Sequence, residues 1–142
     1  MLIREEFFIE AGDFQRAGEA SAAIKRTLKQ LGVGGPVLRR MAIAAYEAEM
    51  NLVIHSLGGT LTLMVEPPMA YLASSDSGPG IPDIKAAMRE GFSTANEQAR
   101  SLGFGAGMGL TNMQRNANMF EIKSKAGEGT SIRMAFDLGG TL

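Results

Sequence analysis

Cysteine and tryptophan are both missing from this sequence of 142 residues, and histidine occurs once, as His55. Without cysteine the chain forms neither disulfides nor cysteine zinc sites, and it has no thiolate nucleophile. A single histidine excludes a histidine metal cluster. With 14 basic and 15 acidic residues the formal net charge is -1. No overall positive field is therefore available to hold nucleic acid or anionic lipid, and we expect neither as a partner.

Long apolar runs are also missing. No stretch approaches the roughly 18 apolar residues that a membrane span needs. The first six residues, MLIREE, carry two acidic side chains where a signal peptide needs a basic stretch and an apolar run. We therefore expect a cytoplasmic protein that is not attached to a membrane. The length fits one domain, and no repeat or linker interrupts the chain, so residues 1–142 are predicted to form a single domain.

The apolar pattern predicts both strands and helices. The predicted strands cover residues 3–9, 60–66, 69–75, 119–125 and 130–137. The predicted helices run from an N-cap at Asp13 to Gly32, from Pro36 to about His55, from a cap at Asp83 to Gly91, and over residues 105–116. Strands joined by short turns pair antiparallel, and these helices can all cover one face of a sheet. The expected fold class is therefore an α/β two-layer sandwich with a mixed, mostly antiparallel sheet and its helices on one face.

Glycine is abundant, with 18 residues, and is concentrated in the loops 78–80, 103–109 and 127–129. In the middle loop, glycine takes every second position directly before a predicted helix. Glycine lets backbone N–H groups approach an anion, and a helix N-terminus adds unpaired donors and a positive dipole end. The loop is a candidate phosphate cradle, although such a pattern alone more often reflects close packing or a flexible lid. A P-loop is excluded because no Gly-Lys pair occurs, and the alternating spacing does not fit a dinucleotide-binding fingerprint.

The second predicted helix carries Glu47 and Asn51 four residues apart, so the two side chains share one face. An amide oxygen suits Mg²⁺, which takes few protein ligands and keeps waters and phosphates. A carboxylate beside it can accept a hydroxyl proton. By itself such a pair is more often part of a solvated polar face. His55, one turn further on, is expected to be structural or to line a groove.

Residues 76–81, DSGPGI, add a D-x-G-x-G-I loop after a strand. Together with the E-x-x-x-N pair of Glu47 and Asn51, and with the later G-x-G-x-G-L of residues 105–110, this loop resembles the motifs of the Bergerat-fold (GHKL) ATPases. That superfamily includes gyrase-type topoisomerases, histidine kinases and MutL. The resemblance covers residues 13–137 and implies the same ATP-binding fold.

Within that superfamily the chain resembles the free-standing serine/threonine kinases of bacterial partner-switching modules, above all the RsbT-type kinases of the stressosome. The likeness is carried by IPDI at residues 81–84, GFST at 91–94, FEI at 120–122 and GEGT at 127–130. The anti-sigma factor kinases of the RsbW and SpoIIAB type are the second match. Some of those kinases carry an arginine in the second glycine-rich motif, where this chain has Gly105 and Ala106 and where the nearest basic residue is Arg100.

The resemblance implies a role for each matching residue. Asp76 would accept a hydrogen bond from the adenine amino group. The adenine site would be completed by Gly78, Gly80, Ile81 and Thr130. The phosphates would be held by Gly105, Gly107, Met108, Gly109 and Leu110. Asn51 would hold Mg²⁺, and Glu47 would be the general base for a substrate serine.

The implied function is that of an ATP- and Mg²⁺-dependent protein serine/threonine kinase. It would phosphorylate a partner with a STAS domain and, once released, activate a downstream phosphatase. The alternatives are an anti-sigma factor kinase and a non-catalytic, nucleotide-gated module. Such a module would close a lid over residues 92–104 and sequester a partner such as a sigma factor. Glu47 favours the enzyme, because gating alone needs no base.

Overall fold

The computed structural model describes residues 2–78, Met88, residues 109–125 and residues 127–139. Within these ranges the chain forms five strands and three helices. The strands are β1 (Ile3–Ile9), β2 (Gly59–Glu66), β3 (Met69–Asp76), β4 (Met119–Lys125) and β5 (Gly129–Asp137). The helices are α1 (Glu19–Gln30), α2 (Gly35–His55) and α3 (Gly109–Asn116). The short helix expected after Asp83 and the lid expected over 92–104 lie outside the described residues.

The five described strands form one sheet in the order β1-β2-β3-β5-β4, and each neighbouring pair is antiparallel. The last hairpin places its second strand against β3, so that Met134 lies opposite Leu72 and Ile132 opposite Ser74. This order leaves β1 and β4 at the two edges. It also brings the start of β5 next to the end of β3, where the D-x-G-x-G-I motif begins.

The core lies between the sheet and a single layer of helices. The alternation expected in β5 is confirmed, since Ile132, Met134 and Phe136 are at most 1% exposed. These side chains share one hydrophobic cluster with Ile24 of α1 and Met41 of α2. Burying each such side chain stabilises the fold by about 1.5–3 kcal/mol. The predicted α/β two-layer fold, with its helices on one face, is confirmed.

The first helix begins later than its sequence suggests. Asp13 was expected to be its N-cap, but α1 starts at Glu19, after Gly18 with φ 101°. Among the described residues, Asp13 accepts a hydrogen bond from the Arg16 N–H alone, within a turn and at 3.3 Å. The expected start is therefore wrong, because the unpaired donors of α1 are satisfied by a residue far away in the sequence.

That residue is Glu49 of α2, whose side chain is 2% exposed. Its Oε2 accepts hydrogen bonds from the N–H groups of Gly18 at 3.0 Å and Ala20 at 3.3 Å. Its Oε1 accepts one from the Ser21 N–H at 2.9 Å. A carboxylate at a helix N-terminus is favourable both as an acceptor and toward the helix dipole. α1 is therefore capped by its neighbouring helix and not by its own sequence.

The other helix boundaries follow local signals. Gly32, directly after the C-cap of α1, has φ 85°, as expected for a glycine at C′. Pro36 lies in the first turn of α2, which ends at His55. Among the helices of the described ranges, none combines the length and the apolar character needed to cross a bilayer.

Candidate functional site

Asp76 lies at the end of β3, opposite Gly59 at the start of β2. Its Oδ1 accepts hydrogen bonds from the N–H groups of Gly78 at 2.9 Å and Thr130 at 3.1 Å. No described residue donates to its Oδ2. One carboxylate oxygen therefore fixes the orientation of the side chain, and the other remains available as an acceptor for a ligand.

The β4–β5 hairpin reaches Asp76 through Gly129, which has φ 121°. A Cβ at Gly129 would overlap the carbonyl oxygen of Asp76 and would lie 2.9 Å from the nitrogen of Gly78. Only glycine combines this close approach with this backbone conformation. Thr130 follows directly, and its hydroxyl lies 2.8 Å from the hydroxyl of Ser124. The resemblance pointed to Thr130 as part of the adenine site, whereas the contact of its N–H with Asp76 became visible only in the structure.

A second group of site residues lies where α2 packs against α3. A Cβ at Gly109, the first residue of α3, would lie 3.1 Å from Oε2 of Glu47 and 3.9 Å from Oδ1 of Asn51. The structure therefore brings together three of the residues that the sequence pointed to. Gly109, the first described residue of α3, therefore lies beside the two oxygen-bearing side chains. Leu110 follows in the first turn, with its side chain buried in the core.

Asn112 is a residue of this group that the sequence analysis missed. Its Nδ2 donates a hydrogen bond to Oε1 of Glu47 at 3.2 Å. This bond holds Oε1 of the carboxylate in place, while Oε2 lies on the side of Gly109. Asn112 follows Gly109 by three residues on a helix, so the i, i+3 spacing placed it on the same side of α3. That spacing was the one signal that could have found it.

The two groups are connected through the end of α2. The Leu57 N–H, two residues after that helix, donates to the carbonyl oxygen of Gly78 at 3.0 Å.

Tyr46 lies near the charges of this site. Burial, and then the charges of Glu47 and Glu49, raise the pKa of its phenol. The phenol therefore stays protonated at neutral pH.

The remaining predicted site residues lie outside the described ranges. They are Gly80, Ile81, Gly105, Gly107 and Met108.

The chemistry of the donor set fits Mg²⁺ with a phosphate ligand. Asn51 offers a neutral amide oxygen, and the absence of a side chain at Gly109 leaves space beside it. Within the described ranges, no group of three or more His, Cys, Asp and Glu residues is placed to hold a metal. An ion here would therefore complete its shell with waters and phosphate oxygens, which Mg²⁺ favours.

Burial lowers the pKa of His55 below its ordinary value of 6.5. Between that lowered pKa and 6.5 the unfolded chain binds more protons than the folded one. The free energy of unfolding should therefore fall as the pH drops through this window. His55→Gln should remove this part of the pH dependence. Urea unfolding of both proteins at about pH 7.5 and about pH 5.5 measures this change in the free energy of unfolding. If the free energy falls equally in the two proteins, the assignment to His55 is contradicted.

The chain is similar in sequence to a family of ATPases and to several known bacterial proteins. A family model described as histidine kinase-, DNA gyrase B-, and HSP90-like ATPase matches residues 37–140. The serine/threonine-protein kinase RsbT of Bacillus subtilis (strain 168) is 31% identical over 113 residues, covering 77% of this chain and 79% of that protein. The anti-sigma F factor of Thermoanaerobacter sp. (strain X514) is 34% identical over 101 residues, covering 68% and 67%. The anti-sigma F factor of Bacillus licheniformis is 28% identical over 126 residues, covering 84% and 83%. The matched range of the family model includes both groups of site residues.

Proposed function

Because the chain belongs to the family of histidine kinase-, DNA gyrase B- and HSP90-like ATPases, we propose that it is an ATP- and Mg²⁺-dependent protein serine/threonine kinase of the partner-switching type. The observation that carries this proposal is the position of Glu47. Its carboxylate is held by Asn112 at 3.2 Å. It also faces the N-terminus of α3 beside Asn51. A base fixed next to a metal ligand is what proton removal from a substrate hydroxyl requires.

Adenine would bind at Asp76. A carboxylate offers only acceptors, so it pairs with the amino group of adenine and not with the carbonyl that guanine has at the same position. Oδ1 is already held by two backbone N–H groups. Oδ2 would therefore accept from the base without any rearrangement of the side chain.

Phosphate transfer would occur at the other group of residues. The oxygen of a substrate serine would attack the γ-phosphorus of ATP, its proton would pass to Oε2 of Glu47, and the bond to the β-phosphate oxygen would break to release ADP. Asn51 would hold Mg²⁺ through its amide oxygen, and the ion would neutralise charge in this step. The N–H groups at the start of α3, at Gly109 and Leu110, would hold the phosphates in line with the hydroxyl.

The substrate would be a small protein with a STAS domain, and its phosphorylation would release the kinase to activate a downstream phosphatase. The RsbT relative, named a serine/threonine-protein kinase, supports the kinase class. An anti-sigma role is the second candidate, because several relatives are named anti-sigma F factor. A non-catalytic, nucleotide-gated binding module would bind ATP and a sigma factor without transferring phosphate.

Incubation with γ-labelled ATP and purified candidate partners separates these candidates. Label transferred to a serine or threonine of a STAS-domain protein supports the proposed kinase. ATP-dependent capture of a sigma factor without any transfer would favour the gated module. Transfer to a STAS-domain protein together with sigma capture would indicate the anti-sigma kinase.

ATP is expected to bind more tightly than GTP, and Asp76→Asn should weaken ATP binding by about 1–3 kcal/mol. The amide keeps one acceptor for the two backbone N–H groups but turns a donor toward the adenine amino group. Titration calorimetry with both nucleotides measures the effect. Asp137→Asn is the matched control, because Asp137 accepts a bond from the N–H two residues on, at Gly139, as Asp76 does from Gly78. Equal affinities for ATP and GTP in the unmodified protein would overturn the adenine assignment.

A further inference from the structure

A groove of about 830 Å³ lies between β1 and the start of α1. One wall is formed by the consecutive residues Glu6 to Glu10, and the other by residues of the 13–20 segment. The lining is completed by Glu49 and Val53 of α2 and by Gly59 and Thr60 of β2. The groove therefore lies at the end of β1, where this strand meets the start of β2 and the start of α1.

β1, four of whose residues line this groove, carries backbone groups on its outer edge that have no partner among the described residues. β1 is the first strand of the sheet and pairs only with β2 in the described part of the chain. No backbone hydrogen bond from the described residues reaches its other edge. Unpaired N–H and C=O groups in a row are a template for an added extended chain.

The groove is acidic. Among the described residues that line it are the carboxylates of Glu6, Glu10, Asp13, Glu19 and Glu49, against a single cation, Arg16. Glu49 is occupied by the backbone of α1, Glu6 pairs with Arg4 at 2.8 Å, and Asp13 pairs with Arg16 at 3.9 Å. Glu10 and Glu19 form no ion pair with any other described residue. Their charges are therefore available to a ligand of positive charge.

An apolar anchor stands at the same place. Phe8 lines the groove and is 82% exposed, more than the other large apolar side chains of the described residues. An aromatic ring on an open strand edge offers a contact area to an apolar side chain of an added strand. The edge thus combines backbone pairing, negative charge and one large apolar contact.

We propose that the open edge of β1 binds an extended, basic segment of a partner protein as an added strand. Its backbone pairs with β1, its lysine or arginine side chains meet Glu10 and Glu19, and an apolar side chain packs on Phe8. None of the residues that line this groove is among those assigned to nucleotide binding, and the proposal does not rest on the kinase assignment.

A second copy of the chain is a poorer occupant. Pairing β1 with another β1 would bring Glu5 and Glu6 of the copy to the same acidic edge. The other described edge strand, β4, carries Lys123 and Lys125, but these already pair with Glu121 at 3.2 Å and Glu128 at 3.4 Å. The free negative charge therefore favours a different, basic chain.

The test uses the full chain and a fluorescent peptide of alternating lysine and valine, as long as the seven residues of β1. Fluorescence anisotropy at low ionic strength gives the affinity. Two further peptides serve as probes: one with glutamate in place of lysine, and one with every second backbone nitrogen methylated. We expect binding of the lysine peptide alone, because methylation keeps the charge but removes the pairing with β1.

The double variant Glu10→Lys/Glu19→Lys should weaken this binding about tenfold or more. Glu121→Lys/Glu128→Lys, which makes the same change in net charge on the opposite edge hairpin, should leave binding unchanged. Thermal unfolding verifies that both variants fold. Equal losses in the two variants, or equal binding of the methylated peptide, would show general charge attraction and overturn the proposal. So would sedimentation showing a dimer that only the Glu10/Glu19 variant breaks, since the occupant would then be a second copy.

Discussion

Replacing Glu47 with glutamine is expected to reduce phosphate transfer about 10²–10⁴-fold while changing ATP affinity little. Glutamine keeps an oxygen that accepts the bond from Asn112, so the side chain should keep its place beside Gly109. It cannot accept the proton of a substrate serine. Single-turnover transfer from labelled ATP to a STAS-domain partner, measured beside nucleotide affinity, separates the chemical step from binding.

Asn51→Ala is the informative comparison for that experiment. This variant lacks the amide oxygen proposed to hold Mg²⁺, so both nucleotide affinity and phosphate transfer should fall. Asn112→Ala should reduce transfer by up to about 10²-fold through misplacement of Glu47, with affinity retained. Wild-type transfer by Glu47→Gln would exclude Glu47 as the base and favour the nucleotide-gated binding module.

Gly129→Ala is expected to destabilise the protein by about 3 kcal/mol or more and to abolish measurable ATP binding. The new methyl group would overlap the carbonyl oxygen of Asp76 and crowd the nitrogen of Gly78. The residue would also keep a φ of 121°, which side chains disfavour. Urea unfolding gives the loss of stability, and calorimetry gives the loss of nucleotide binding.

Gly127→Ala provides the matched control in the same hairpin. Gly127 also has a positive φ, 81°, but a Cβ there meets nothing within 4 Å. The expected cost is about 1–2 kcal/mol, from backbone conformation alone, with ATP binding retained. If the two variants lose equal stability and bind ATP equally well, the close approach of Gly129 to the Asp76 loop has no energetic role.

Much of the fold was predictable because the signals are local. The alternation in β5, Gly32 at the end of α1 and Pro36 at the start of α2 each act through neighbouring residues. The start of α1 was not predictable in the same way. Asp13 has the chemistry of a cap, but Glu49, 28 residues after Ser21 along the chain, supplies the acceptor. Only the packing of α1 on α2 decides between them.

The candidate site was likewise predictable only where the signals are local. The family resemblance seen in three motifs is confirmed by the family model that matches residues 37–140. The i, i+4 spacing of Glu47 and Asn51 predicted that they share a helix face, and the roles assigned to them stay predictions. The bond from the Thr130 N–H to Asp76 joins residues 54 positions apart. No pattern within either segment encodes that contact, because it depends on β5 lying beside β3.

The carboxylate of Glu49 also determines how the start of α1 opens to solvent. N–H groups in the first turn of a helix ordinarily exchange their hydrogens first, because they lack acceptors. Here the amides of Gly18, Ala20 and Ser21 are bonded to a buried side chain of α2. Their exchange therefore requires the start of α1 to move away from α2. These three amides thus report the separation of α1 from the helix that carries Glu47 and Asn51.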